Sequence, residues 1–120
     1  MFKTKNDLLE ATRVKVVEVL NARLADCIDL ETQTKQAHWN VKGLQFFQVH
    51  EMLDTLRDDL DEYNDTMAER VAQLGGTPLG TTQTTIKSSS LPPYPTEISA
   101  IEEHLKAMVE RTGMVANAVV

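Results

Sequence analysis

Residues 8–43 read LLEATRVKVVEVLNARLADCIDLETQTKQAHWNVKG. Apolar residues recur in this stretch at intervals of three and four, with charged or polar residues between them: Val17, Leu20, Leu24, Cys27 and Ile28. This spacing predicts an amphipathic helix over about residues 8–39. We expect Asn6 or Asp7 to cap its start, because a short side-chain oxygen accepts from the first unpaired backbone donors. The helical pattern breaks at Asn40-Val41-Lys42-Gly43.

Beyond this break, a second long helix is predicted from about residue 46 to Gly75-Gly76, where glycine can adopt the left-handed conformation of a C-terminal cap. Residues 77–95 contain four prolines and three consecutive serines, a composition that does not sustain a long helix. They are predicted to form a crossover with one short helix, from about Thr81 to Lys87.

The third long helix is expected to begin near Ala100, because Ser99 and Glu102 have the spacing of a capping box. It should continue to the end of the given sequence, whose last residues are apolar and carry neither a glycine cap nor a basic final turn. Three helices with an exposed apolar edge normally recruit a fourth. We therefore expect residues 1–120 to form one all-α domain that stops before its last helix; a natural three-helix form is the alternative.

The composition limits the classes of protein to which the chain can belong. Aromatic residues make up 5% of its 120 residues, and the apolar set is rich in Leu, Val, Ala and Met, which favours helices over sheets. A net charge of -6 disfavours nucleic acid and anionic membranes as partners, and Lys3 and Lys5 are the basic residues near the start. We expect a cytoplasmic protein, because no stretch has the apolar length of a signal peptide or membrane span. Cys27, the only cysteine, is expected to be buried.

The residues that can carry chemistry are His38, at the end of the first helix, and four residues on one side of the second: His50, Asp54, Asp65 and Glu69. At about 100° per residue, these four fall within about 100° of one another around the helix axis. At about 1.5 Å per residue, His50 and Glu69 are ~28 Å apart and Asp54 and Asp65 ~16 Å apart. The ligand shell of one metal ion cannot span such distances, so one straight helix cannot form the site.

Two copies of the second helix can form a site if they lie antiparallel across a two-fold axis. His50 and Glu69 have the same sum of residue numbers as Asp54 and Asp65, so a crossing between residues 59 and 60 brings both pairs together. Symmetry then creates a second identical site, and the first-helix histidine can join each one. Two imidazoles and three carboxylates suit Fe(II), Mn(II) or Zn(II) better than Ca(II).

A simpler interpretation stays open, because acidic residues are common on exposed helices and some fall in register by chance. The remaining acidic residues of this stretch are expected to be solvated: Asp58, Asp59, Asp61 and Glu62. His104 is also expected on the surface, since Glu102 and Glu103 precede it. Two other metal motifs are excluded: there is no Glu-x-x-His pair, and Asp54 takes the place of the second histidine in the zinc-protease pattern.

Three segments carry a family resemblance: Lys35-Gln36-Ala37-His38-Trp39-Asn40-Val41-Lys42-Gly43, His50-Glu51-Met52-Leu53-Asp54, and Asp65-Thr66-Met67-Ala68-Glu69-Arg70 with Leu74-Gly75-Gly76. They are similar to the signature of the Dps family, the DNA-binding proteins from starved cells, and the likeness covers about residues 20–120. The resemblance implies a ferritin-like four-helix-bundle subunit, a hollow dodecamer and a ferroxidase centre at each two-fold dimer interface. It implies iron ligands from both subunits, with room for two irons per site: His38, His50 and Asp54 from one, and Asp65 and Glu69 from its partner.

The resemblance also implies a function: oxidation of Fe(II), preferably with hydrogen peroxide, storage of ferric iron, and DNA protection in the bacterial cytoplasm or nucleoid. Trp39 would either intercept stray oxidising equivalents or pack against the dimer partner. Family members that compact DNA often have a lysine-rich tail, and Lys3 and Lys5 alone precede the first helix, which argues against direct DNA binding. Two alternatives stay open: a nucleoid DNA-binding protein with secondary metal sites, and a helical fragment that cannot assemble.

Overall fold

The computed structural model describes residues 1–119 and contains four helices: α1 Glu10–Asn40, α2 Phe46–Gln73, α3 Thr82–Ser88 and α4 Ile101–Val119. The predicted all-α class is confirmed, and each predicted helix is present, the short crossover helix included. The predicted continuation of the last helix to Val120 lies outside the described residues. Among residues 1–119, no helix combines the length and the apolar character needed to cross a membrane.

Helix α1 lies at the centre of the molecule and packs against α2, α3 and α4. The core combines Cys27 and Leu30 of α1 with Leu53 of α2 and with Met108 and Val115 of α4. Burying one such leucine contributes about 1.5–3 kcal/mol to folding. The predicted burial of Cys27 is confirmed. Because α1 contacts every other helix, the position of its last turn is fixed by packing along its length.

Caps were predicted at the end of α2 and at the start of α1; the first prediction is confirmed and the second is wrong. Helix α2 ends as predicted: Gly75 has a φ of 86°, and the Gly76 backbone N–H donates to the Val71 carbonyl at 3.0 Å. Helix α1 begins later than predicted, and its N-cap residue, Leu9, makes no side-chain cap. The predicted cap at Asn6 or Asp7 is wrong, because Asn6 Oδ1 accepts from the Leu8 N–H in a turn that precedes the helix.

The start of α4 is held by the loop that follows α1. The Lys42 N–H donates to the Ser99 carbonyl at 2.8 Å, and the Ile101 N–H donates to the Lys42 carbonyl at 3.2 Å. The helix begins near Ala100 as predicted, but the hydrogen bonds found among residues 1–119 include no capping box between Ser99 and Glu102. The backbone of Lys42 provides what the capping box was expected to provide.

The N-terminal segment lies against the end of α2. The Phe2 N–H donates to the Gly75 carbonyl at 2.7 Å, the Thr4 hydroxyl donates to the Gln73 carbonyl, and Arg13 Nη1 donates to the Leu74 carbonyl. Carbonyls at a helix C-terminus have no partner within the helix, so these three bonds satisfy them. Residues 1–5, including the segment with the two lysines, are therefore tied to the bundle.

The predicted surface position of His104 is wrong. This side chain is 1% exposed, and its Nδ1 lies 2.7 Å from the Tyr94 hydroxyl. His104 is one helical turn from Ile101 and from Met108, which are both buried, so it lies on the inward face of α4. The two preceding glutamates occupy the outward face, and they suggested the wrong environment.

Candidate metal-binding site

Two histidines from different helices meet at the turn between α1 and α2. The rings of His38 and His50 are stacked, with centroids 3.6 Å apart and planes inclined by 17°. His38 Nδ1 lies 2.6 Å from the His50 carbonyl oxygen, and His50 Nδ1 lies 2.8 Å from the His38 carbonyl oxygen. Each side chain is thus held by the backbone of the other.

These reciprocal hydrogen bonds determine which ring nitrogen carries the proton. A carbonyl oxygen only accepts, so the Nδ1 atoms of His38 and His50 must both be donors. The neutral form of each ring then has its lone pair on Nε2, which is the arrangement that a metal-ligating histidine requires. The pair is therefore set in the correct tautomer before any metal arrives.

Asp54 lies one turn after His50, on the same side of α2. Its Oδ1 is 3.9 Å from His38 Nε2 and 2.6 Å from Lys35 Nζ. The hydrogen bond from Lys35 is the main cause that holds the pKa of Asp54 below its usual value, and burial acts in the opposite direction. The carboxylate is therefore charged, and the Lys35 ammonium group occupies the position beside it that a cation would take.

Lys35 was missed as a functional residue by the sequence interpretation. It belongs to the segment that carried the family resemblance, and it lies three residues before His38 on the same helix. Residues three apart share a helix face, so this spacing was the signal that could have identified it.

The other two predicted ligands are not part of this cluster. Asp65 and Glu69 are exposed on the second half of α2, and at about 1.5 Å per residue Asp65 is ~16 Å from Asp54. Within residues 1–119, no three His, Cys, Asp or Glu side chains are arranged to hold a metal ion. Within one chain, His38, His50 and Asp54 lie near one another. Asp65 and Glu69 lie apart from these three residues, on the second half of α2.

The geometry of α2 bears on how a second copy would align. The helix runs from Phe46 to Gln73, so its midpoint falls between Asp59 and Leu60. This is the point at which the sum of residue numbers places the antiparallel crossing. Four acidic side chains around the midpoint are exposed, in agreement with the prediction that they are solvated in the single chain: Asp58, Asp59, Asp61 and Glu62.

A groove of about 710 Å³ lies between α1 and α2 beside this midpoint, and its lining includes five acidic residues: Glu31, Asp58, Asp61, Glu62 and Asp65. At its edge, Asn64 Nδ2 donates to Glu31 Oε2 at 2.7 Å, and Arg57 Nε lies 3.3 Å from Glu31 Oε1. Burial is the main cause that raises the pKa of Glu31. The groove therefore attracts cations, and the exposed acidic face of α2 forms one of its walls.

Trp39 follows His38 directly and points outward, with 66% of its surface exposed. In the single chain its ring is available to solvent or to a partner. Both predicted roles for Trp39 therefore stay predictions.

The comparisons with known proteins agree on the family and on the fold. The sequence profile of the family described as "Ferritin-like domain" matches residues 17–119. The chain is 54% identical over 117 residues to the "DNA protection during starvation protein" of Agrobacterium fabrum, a match that covers 98% of this chain and 72% of that protein. A solved structure of Mycobacterium smegmatis Dps is similar with a TM-score of 0.93 at 32% identity, over 98% of this chain and 72% of that one. A Dps structure from Vibrio cholerae, described as a member of the ferritin-like diiron-carboxylate proteins, shares the fold with a TM-score of 0.90 at 22% identity, over 98% and 74% of the two chains.

Proposed function

Because the chain belongs to the Dps group of the ferritin-like family, we propose that two copies of it form ferroxidase centres that oxidise Fe(II), preferably with hydrogen peroxide. The ferric product would be stored inside an assembled shell. The observation that carries the proposal is the stacked histidine pair, whose Nδ1 atoms are both engaged by backbone carbonyls, with His38 Nε2 lying 3.9 Å from Asp54 Oδ1. Proteins of this family store iron and protect DNA, and this chain is expected to act in the bacterial cytoplasm.

The proposed centre lies between two copies of α2 that cross antiparallel at their midpoints. His38, His50 and Asp54 of one chain then meet Asp65 and Glu69 of the partner subunit. Each dimer has two such centres because of its two-fold symmetry. The three carboxylates and two imidazoles can hold two irons, with Fe(II) as the substrate.

The ligand set explains why oxidation would be favoured. Carboxylate oxygens stabilise Fe(III) more than Fe(II), and open positions on the metal admit peroxide. Two Fe(II) ions each give one electron, and the O–O bond of one peroxide takes both, with two protons, to form two waters. No hydroxyl radical is released in this two-electron reaction, so it would protect nearby DNA by consuming both reagents. Trp39, beside His38, would take up stray one-electron oxidants.

A stopped-flow measurement of Fe(II) oxidation tests the site. Asp54→Ala and Glu69→Ala should each reduce the rate on the order of a hundredfold or more, since each removes a ligand. The matched control is Asp59→Ala, which removes an exposed carboxylate that lies about 130° from the proposed contact face. Equal rates in all three variants would reject the assignment.

Co-expression of the Asp54→Ala and Glu69→Ala chains tests whether the site is shared. In a mixed dimer, both changes fall in one centre and the other centre is intact. Random pairing should therefore restore about a quarter of the wild-type sites. A centre built within one chain would not recover when the two inactive variants are mixed.

We also propose that residues 1–120 are a ferritin-like domain that lacks its C-terminal helix. An apolar groove of about 560 Å³ is open between α2 and α4; it is lined by residues that include Leu60, Tyr63, Met67, Val115 and Val119. A fourth amphipathic helix would cover these side chains, and the full-length chain would then assemble as a dodecamer. Light scattering of the chain with and without a following helical segment tests this, because equal assembly of both forms would contradict it.

The fold offers little for direct DNA binding. Lys3 and Lys5 lie on a segment that hydrogen bonds tie to the end of α2, so they cannot extend freely toward a duplex. We propose that DNA protection works through the removal of Fe(II) and peroxide. A gel shift at low salt tests the alternative, since tight binding that persists as salt rises would favour a DNA-binding protein with secondary metal sites.

A further inference from the structure

A half-buried tyrosine and a buried histidine form a pair that the proposed iron centre does not use. Tyr94 lies in the crossover before α4, and its hydroxyl is 2.7 Å from Nδ1 of His104 in the first turns of α4. The two rings are nearly parallel, with centroids 5.8 Å apart and planes inclined by 16°. His104 is 1% exposed, so water does not reach the ring.

The environment decides which partner holds the proton. Burial is the main cause that lowers the pKa of His104, so its ring is neutral at neutral pH. Burial also raises the pKa of Tyr94 to about 12, so the phenol keeps its proton. When the neutral ring carries its proton on Nε2, the Tyr94 hydroxyl donates to Nδ1, and that nitrogen is a base within hydrogen-bond reach.

Charged groups surround the pair from each neighbouring element. The Arg111 guanidinium lies 5.3 Å from the centre of the Tyr94 ring and donates to the Pro93 carbonyl at 2.8 Å. Lys42, in the loop after α1, opposes a positive charge on His104, and Glu103 and the Ile98 backbone favour one. The charges act in both directions, so a proton on His104 is not prohibited by its surroundings.

The crossover that carries Tyr94 is fixed to α1. Asp26 is 1% exposed and accepts hydrogen bonds from the backbone and the hydroxyl of Ser90, at 2.8 and 2.9 Å. The Gln33 side chain donates to the Pro92 carbonyl at 3.0 Å. These bonds hold the phenol at a constant distance from the imidazole, as proton transfer between them requires.

We propose that Tyr94 and His104 form a proton-coupled redox pair that takes up one oxidising equivalent per chain. A one-electron oxidant, such as the hydroxyl radical, removes an electron from the phenol while the O–H proton moves to Nδ1 of His104. The products are a neutral tyrosyl radical, an imidazolium ion and, from the hydroxyl radical, hydroxide. Electron transfer without the base would leave a phenol radical cation, which is a much stronger acid and higher in energy.

The position of the pair fits such a role. The backbone bonds of Lys42 to Ser99 and Ile101 place the start of α4 beside the loop that follows His38. The redox pair and the stacked histidines therefore lie toward the same end of the bundle, where an electron could pass between them through the packed core. The proposal does not depend on iron oxidation, because any one-electron oxidant suffices.

Photochemical oxidation with a ruthenium tris-bipyridine complex and electron paramagnetic resonance tests the pair. The chain has two tyrosines and one tryptophan, so Trp39→Phe with Tyr63→Phe leaves Tyr94 as the only tyrosine. This background should give a hydrogen-bonded tyrosyl radical, formed more slowly in deuterium oxide. Adding Tyr94→Phe should abolish the signal; an undiminished signal overturns the proposal.

His104→Asn is the variant that separates the base from the hydrogen bond. The asparagine oxygen can accept from the Tyr94 hydroxyl but is too weak a base to take its proton, so radical formation should slow on the order of a hundredfold. An unchanged rate overturns the proposal, and the circular dichroism spectrum reports whether the variant folds. If it does not fold, the isotope effect with His104 in place still decides, because equal rates in water and deuterium oxide reject a coupled proton transfer.

Discussion

The stacked pair of His38 and His50 and the buried His104 are hydrogen-bonded through the same ring nitrogen but to opposite kinds of partner. In the pair, each Nδ1 donates to a backbone carbonyl, which leaves Nε2 free for a metal. In His104, Nδ1 lies 2.7 Å from the Tyr94 hydroxyl, which donates to it when the ring proton is on Nε2, and Nε2 is buried without a hydrogen bond of good geometry. A metal cannot reach His104, but a proton already lies next to it.

This difference shows that the partner of a histidine, more than its presence, decides its chemistry. A carbonyl partner fixes the tautomer that binds metals, whereas a phenol partner makes the ring a base. The two environments also differ in exposure: His50 is partly exposed at the proposed shared site, and His104 is 1% exposed. Each of the following experiments changes one region and uses the other as its reference.

The largest expected difference is in metal binding. His50→Ala should weaken binding of Co(II), used as a probe for Fe(II), by at least about a hundredfold, because it removes a proposed ligand and unstacks the His38 ring. His104→Asn should leave binding unchanged. Anaerobic titration followed by the visible absorption of Co(II) measures both, and a similar loss in the two variants would remove the distinction between the regions.

For the free energy of unfolding, the larger effect should come from changing His104 and the smaller from changing His50. His104→Ala should lower the free energy of unfolding by about 2–3 kcal/mol, because it opens a cavity and leaves the Tyr94 hydroxyl without its acceptor. His50→Ala should cost less than about 1 kcal/mol, since its ring is partly exposed. Urea unfolding measures the two values. A larger loss for the exposed ring would mean that the stacked pair is part of the core.

The helices were predictable from the sequence because local rules decide them. The apolar spacing of α1, the double glycine after α2 and the Thr81 cap of the short helix each act within a few residues. At the start of α4 the local rule failed: the Lys42 backbone binds the Ser99 carbonyl and the Ile101 N–H, and the capping box expected there is not formed.

The site was predictable only in part, for a related reason. The spacing along α2 indicated that two chains are needed, because the distances exceed what one metal shell can span. The reciprocal bonds of His38 and His50 depend on how α1 packs on α2. The three-residue spacing of Lys35 from His38 was a signal that was missed. His104 was misplaced because Glu102 and Glu103 were given more weight than its spacing from Ile101 and Met108, which are both buried.

The third expected effect is a pH dependence of the free energy of unfolding that comes from His104. The pKa of His104 in the folded chain lies below its ordinary value of 6.5. As the pH falls, His104 is therefore protonated in the unfolded chain before it is protonated in the folded chain. Stability should be unaffected above pH 6.5 and should fall as the pH drops from 6.5 through the folded pKa. The difference between the wild type and His104→Asn isolates this contribution, because the raised pKa of Glu31 is common to both. Parallel curves below pH 6.5 would contradict the assigned neutral ring.

The smallest expected effect comes from Lys35→Met, which removes the ammonium group 2.6 Å from Asp54 Oδ1. Since that hydrogen bond is the main cause of the lowered pKa of Asp54, the carboxyl should titrate closer to its ordinary value. Divalent-ion binding should become tighter, because a metal no longer competes with a fixed cation; the carboxylate is partly exposed, so the gain should stay within about fivefold.

Lys15→Met, an exposed change on the same helix, is the matched control. Calorimetric titration with Zn(II) at several salt concentrations should show that the difference shrinks as salt rises, since screening weakens an exposed ion pair. Weaker binding in the Lys35 variant would instead mean that the ammonium group aims the carboxylate at the metal. In that case Lys35 would position Asp54, as Tyr94 positions His104. The two regions would then differ only in the charge of Lys35 and Tyr94.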